Sequence, residues 1–232
     1  MALSEAEAAR YARQLTLPGF VPATQEFLRS ARVHVVGAGE VAGPALLYLA
    51  ASGVGTLLLD DALDLASEDA ASWLYGAGQV GEPRIYAAIA AVRGATSLSK
   101  PRPYATGSDP SAALVCASSP GTAREAAERA RVAGLPHVVA LADGESGEVV
   151  TVPRGAPCYQ CASRLASGAP ARPGAVAAAL GALAALELVQ ILAGVVDLPP
   201  GAGRRVDVAG GEPQTHRTTR VAGCACGRPR LP

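Results

Sequence analysis

The stretch VHVVGAGEVAGPALLYLAASGVGTLLLDD, Val33 to Asp61, constrains the fold more than any other part of the chain. An apolar run enters a glycine turn, an Ala/Leu-rich segment follows, and a second apolar run ends on two aspartates. That order predicts a strand, a turn, a helix, a second strand and a carboxylate, the opening unit of a nucleotide-binding sheet. Gly37 takes the place of the tight turn, Gly39 the place where backbone can approach a phosphate, and Ala42 the place of close helix–strand packing. The helix after Gly39 would aim its N-terminal amides at an anion, and Asp60, about 20 residues on, would hold a ribose hydroxyl. A glycine turn that serves packing alone accounts for the same residues and stays open as the plainer reading.

At 232 residues the chain is long enough for one large α/β domain with a proper core. Its formal net charge is zero, which points away from nucleic acid and from an anionic membrane as partners. The opening MALSEAEAARYARQL is charged and helical in pattern rather than a signal peptide. The Ala/Leu runs read as too broken by charge or glycine to span a bilayer. The expectation is a soluble, cytoplasmic protein. Five cysteines, two close pairs plus one, fit a reducing compartment and a metal site better than a disulfide framework.

Further along, GEPRIYAAIAAVRGA reads as a helix, ALVCA (Ala113 to Ala117) as a strand, GTAREAAERARVAG as a helix and HVVALA, from His137, as a strand. This alternation predicts a doubly wound, Rossmann-like α/β fold with a mostly parallel sheet. GEVVTV then suggests one strand of a hairpin, and the chain end suggests a strand or two and a cysteine turn, an antiparallel extension toward the C-terminus. GAVAAALGALAALELVQILAG, about Gly174 to Gly194, is nearly all apolar and is expected to be a helix buried on all sides. Neither an internal repeat nor a low-complexity linker divides the chain, so residues 1–232 read as a single nucleotide-binding domain.

PCYQC places Cys158 and Cys161 at C-x-x-C spacing, and GCACG places Cys224 and Cys226 at C-x-C. Two close thiolate pairs far apart in sequence are what a tetrahedral structural zinc needs, a redox or unmetallated set being the alternative. Cys116 ends an apolar strand and reads as a small buried hydrophobe. His34 lies mid-strand and His137 opens one, so both read as core or edge residues; His216 lies in a polar segment.

Taken in order, RYARQLTLPGF, the glycine-turn unit, VGEPRIYAA, PCYQCASRL, LGALAALELVQILAG and CACG resemble the ubiquitin-activating-enzyme-like adenylyltransferases of the MoeB, ThiF and HesA family. The resemblance covers nearly the whole chain. It implies a homodimer, a mixed sheet, ATP and magnesium in the glycine-turn crevice, and adenylation of the C-terminal Gly-Gly of a ubiquitin-like sulfur carrier. It also implies a structural zinc on the four paired cysteines. On this resemblance Gly37, Gly39 and Asp60 match the nucleotide site, and Arg13 matches an arginine that reaches ATP across the dimer. Arg84 stands where the family has a phosphate-contacting lysine, and a planar fork is not equivalent to a point charge there.

The departures fall where the family does its chemistry. The family pattern D-x-D followed by S-N-L-Q-R-Q is met by DDALDLASEDAASWLYGAGQV at the same length. This puts Glu68 at the asparagine, Ala71 at the triphosphate arginine and Ser72 at the glutamine, with Trp73 beside them. Where the family has D-x-T-D-N, this chain has VCASSPG, which puts Ser118 at the magnesium aspartate. ASGAPARPGAV carries no match to the cysteine that some members have ahead of the long helix. Asp61, Asp64 and Asp69 are candidates to replace the metal ligand, although solvated loop acids are the plainer expectation for all three. Three functions stay open: an adenylating enzyme with impaired or lost activity, a non-catalytic relative that acts as a binding or scaffold partner, and a nicotinamide-dependent oxidoreductase.

Overall fold

The computed structural model describes residues 2–67, 69, 74–117, 119–165, 174–199, 201–209 and 212–227. Four parallel strands arise from the front of the chain: β1 (Arg32–Val36), β2 (Thr56–Asp60), β3 (Lys100–Pro103) and β4 (Ala112–Val115). β5 (His137–Asp143) continues the parallel set beside β4, and β6 (Ser146–Val152), β7 (Gly203–Ala209) and β8 (Glu212–Thr218) extend it antiparallel. Together they make one sheet in the order β3-β2-β1-β4-β5-β6-β7-β8. The Rossmann-like, doubly wound arrangement is therefore present, antiparallel extension included. β1 lies between β2 and β4, so the chain reverses its direction of travel there, and open sheets of this kind bind ligands at such a switch point.

Side chains alternate across the sheet as the strand period requires. Val33 and Val35 join one core with the helices α3 (Ala42–Ala51), α4 (Arg84–Ala95) and α7 (Ala175–Ala193). Val36 and Val115 join a second core under α5 (Pro120–Val132) and α6 (Tyr159–Ala162). α3 and α7 meet at Gly181, where a Cβ would lie 2.2 Å from the Val41 carbonyl oxygen, so no side chain fits between them. α1 (Glu5–Arg10) is started by Ser4 and Glu7 in a reciprocal capping box, and Arg29 of α2 (Pro22–Ser30) bonds Glu7 at 3.0 Å.

Two readings of the sequence need correction. α7 is buried on one side only: Leu180, Ala184 and Leu188 face the sheet, while Leu186 is 53% exposed. α7 is also long and apolar enough to cross a membrane by length and composition, contrary to the reading that no run was. Its packing is that of a core helix, because the buried Glu187 accepts hydrogen bonds from Thr151 at 2.8 Å and Arg204 at 2.7 Å. β3 was not foreseen, since KPRP holds two prolines; they are tolerated because the strand lies at the sheet edge.

Candidate nucleotide crevice and cysteine centre

β1 runs into Gly37, whose φ of +90° carries the chain sharply away from the sheet. A Cβ there would stand 2.2 Å from the Cys116 carbonyl oxygen, and the Gly37 N–H donates to the Asp60 carbonyl at 2.9 Å. One turn thus ties together the ends of β1, β2 and β4. Above it opens a crevice of about 660 Å³, lined among others by Gly37, Gly39, Asp60, Asp61, Asp69 and Arg84. No side chain caps α3 at its N-cap Val41; the Ala42 and Gly43 N–H groups turn back onto the Gly39 carbonyl at 3.0 and 3.1 Å, and Pro44 carries no N–H.

Within this crevice the acceptors are the chain's own carboxylates. Asp61 Oδ2 takes the Ala38 N–H at 2.8 Å, and its other oxygen takes the Leu63 N–H at 2.8 Å. Arg84, the first residue of α4, donates Nε (3.0 Å) and Nη2 (2.7 Å) to Asp69 Oδ2, which also accepts the Ala66 N–H at 2.9 Å. Arg84 Nη1 lies 3.8 Å from Asp61 Oδ2. Asp69 is 3% exposed and the Asp61 side chain 6%, so the expectation of solvated loop acids fails for both. The apolar surroundings make the pairing obligatory, because an unpaired buried charge is costly. Asp64 is exposed and bridges to Pro83. Tyr75 bonds the Ala38 carbonyl, and burial, reinforced by Asp69 and Asp61, raises its phenol well above the usual range.

Asp60 reaches His34 Nε2 at 3.0 Å, and the His34 ring stacks on Tyr104 at 3.9 Å. Burial lowers the His34 pKa against the opposing pull of Asp60, which favours a neutral ring donating to the carboxylate. His34 is therefore an orienting partner of the candidate ribose acid, not a plain core residue. No spacing rule links His34 to Asp60 or Tyr104; their adjacency comes from β1, β2 and the segment after β3. Arg13 is exposed, ahead of the short helical turn Gln14–Thr16, and is not among the residues that line the crevice. Glu68, Ala71, Ser72, Trp73 and Ser118 lie outside the described residues.

The structure brings the four paired cysteines together. Cys158 and Cys161 lie at the start and within α6, and Cys224 and Cys226 come from the chain end. Sulfur separations are 3.8 Å for Cys158–Cys161, 3.6 Å for Cys158–Cys224 and 3.6 Å for Cys161–Cys226. All four sulfurs fall within 4.8 Å of one another. Tetrahedral ligation with Zn–S near 2.3 Å requires sulfurs about 3.8 Å apart, so the cluster could hold a metal such as zinc. The Val221 N–H also points at Cys161 Sγ (3.4 Å), as a thiolate cage requires. Cys116 is buried, and burial pushes its thiol up to about 12, as befits an inert core residue.

A glycine-turn crevice at the switch point of a doubly wound sheet, with a four-cysteine cage between α6 and the chain end, defines a class of Rossmann-like α/β proteins. Within that class the profile of the ThiF family matches residues 11–226, and the chain belongs to the ThiF family. It is 35% identical over 214 residues to the adenylyltransferase and sulfurtransferase MOCS3 of Bos taurus, covering 84% of this chain and 47% of that protein. It is 33% identical over 215 residues to the heterocyst protein HesA of Trichormus variabilis, covering 83% of this chain and 78% of that one. The chain thus spans about half the length of the MOCS3 proteins it matches. The crystal structure of E. coli MccB with ATP superposes with a TM-score of 0.80 at 18% identity, covering 97% of this chain and 75% of MccB, which shows a shared fold.

Proposed function

We propose that this chain binds an adenine nucleotide in the β1/β4 crevice and the C-terminal Gly-Gly tail of a ubiquitin-like sulfur carrier, with adenylation of that tail impaired or lost. The observation that carries the reading is the Asp69–Arg84–Asp61 cluster: the crevice is built, but Arg84, which lines it together with Arg129, is already paired with two carboxylates. ATP and magnesium would supply the leaving group and the charge neutralisation of adenylation. Nucleotidyl transfer depends on cations aimed at phosphate oxygens, and loss of one costs roughly 10³ in rate. Asp61 and Asp69 are engaged by backbone amides and Arg84, so neither is free to replace the aspartate that Ser118 displaces. The same cluster favours the second reading, a non-catalytic partner that keeps the fold and the tail-binding crevice.

Two further assignments belong to this reading. Cys158, Cys161, Cys224 and Cys226 hold a structural zinc, supported by the sulfur spacing. The chain forms a homodimer through the exposed side of α7, which would give Arg13 access to a partner's crevice. ATP–pyrophosphate exchange with a Gly-Gly-ended carrier tests the central claim. Exchange at background level, with the carrier still bound in a pull-down, is the expected result. Robust magnesium-dependent exchange would overturn the impairment. Binding of a nicotinamide dinucleotide in place of adenosine or ATP would move the chain to the oxidoreductase alternative.

A further inference from the structure

Arg84 and Asp69 sit directly over the glycine turn: a Cβ added to Gly39 would lie 3.7 Å from Arg84 Nη1 and 3.8 Å from Asp69 Oδ1. In a glycine turn of this kind the position of Gly39 is where the backbone comes closest to a phosphate, so an incoming anion would be received there. Both side chains are anchored. Arg84 begins α4, with its N–H on the Leu63 carbonyl at 3.0 Å and the Asp64–Pro83 bridge before it. Asp69 is pinned by the Ala66 N–H at 2.9 Å, and its own N–H returns to the Ala66 carbonyl at 3.1 Å.

Resting on the nucleotide reading above, we infer that Asp69 is a specificity determinant of the crevice: its carboxylate holds Arg84 in place of a phosphate, so that the site takes a nucleoside in preference to a nucleoside triphosphate. Freeing Arg84 for a triphosphate would leave Asp69 buried, anionic and unpaired beside a polyanion, which opposes entry twice over. Asp61, fixed on the Ala38 N–H, adds a second negative charge at the same place. A nucleoside meets no such opposition. Asp60 is bonded to His34 and not to Arg84, and its side chain is 44% exposed, so a ribose hydroxyl can reach it without disturbing the ion pair.

The test is calorimetric titration of the full chain with adenosine, ATP and inorganic tripolyphosphate, for the unaltered protein, Asp69→Asn and Asp69→Asn combined with Arg84→Gln. The unaltered protein should bind ATP no more tightly than adenosine and tripolyphosphate not at all. Asp69→Asn, which keeps the side-chain shape, should raise ATP affinity about tenfold or more while leaving adenosine within about twofold, as one regained charge-assisted contact predicts. It should also create measurable tripolyphosphate binding, and Arg84→Gln should abolish both gains. Asp69→Asn without any gain for tripolyphosphate would overturn the inference, as would unaltered protein that prefers ATP over adenosine by more than about tenfold. If tripolyphosphate binding appears but adenosine binds no form of the protein, the nucleotide reading falls while the hold of Asp69 on Arg84 stands. Thermal melts of each variant establish that the titrated protein is folded.

Discussion

Gly37 and Gly39 stand two residues apart in the same turn and have different reasons to be glycine. Gly37 has a positive φ and no room for a Cβ against the Cys116 carbonyl, so Gly37→Ala strains the backbone and pushes β4 away from β1. We expect it to cost about 3 kcal/mol, read as a lower urea midpoint, whereas Gly39→Ala stays within about 1 kcal/mol because its nearest neighbour is 3.7 Å away. Equal midpoints for the two variants would contradict the close approach at Gly37. The motif made both glycines legible, but not this division of labour. Arg84 is a similar case: its place in the crevice was readable from its register, while its pairing with Asp69 was not. The separation of 15 positions between them in sequence carries no periodicity that would bring a loop acid back onto a helix start.

Among the elements, α7 departs furthest from what its composition implies. A helix that is apolar all round is expected to be buried all round. Here one side packs on the sheet and α3, and the other leaves Leu186 at its surface beside Tyr48 and Leu17, around a hollow of about 450 Å³. Such a face suits an isologous contact between two copies, in which each presents the same patch. Light scattering at micromolar concentration should give the mass of a dimer, and Leu186→Glu should shift it to the monomer by placing a charge in the apolar contact. A monomer before any substitution would remove both the dimer and the proposed reach of Arg13. Periodicity misidentifies the exposed side of this helix, because its polar residues Glu187 and Gln190 are drawn inward onto Arg204 while the apolar Leu186 is left at the surface; only the position of the sheet decides this.

Over the whole molecule, the four-cysteine cage joins α6 to the chain end, segments separated by more than sixty positions. Purified without chelator, the protein should carry about one zinc per chain. Stripping the metal should free the Cys224–Cys226 turn from α6, seen as faster proteolytic trimming near Val221 with the sheet intact. A chain without zinc, or equal trimming before and after chelation, would show that the thiols associate unaided. Metal loss should not reach the β1/β4 crevice, which is built from different strands.

The βαβ unit, the alternation of strands and helices, the apolar helix and the cysteine pairs are local patterns, and local patterns were enough to define the fold class and most candidate residues. Their physical basis is short-range: strand and helix periods, the positive φ that glycine permits and the ligand spacing of a thiolate pair all act within a few residues. What the tertiary structure alone decided are the long-range pairings of polar side chains: His34 with Asp60 and Tyr104, Asp69 with Arg84, and Glu187 with Arg204. Buried charges must find partners wherever the fold places them, and which partner is in reach depends on how strands order and helices cross. The glycine turn by itself therefore promises a phosphate site, whereas the folded chain places its own carboxylates there.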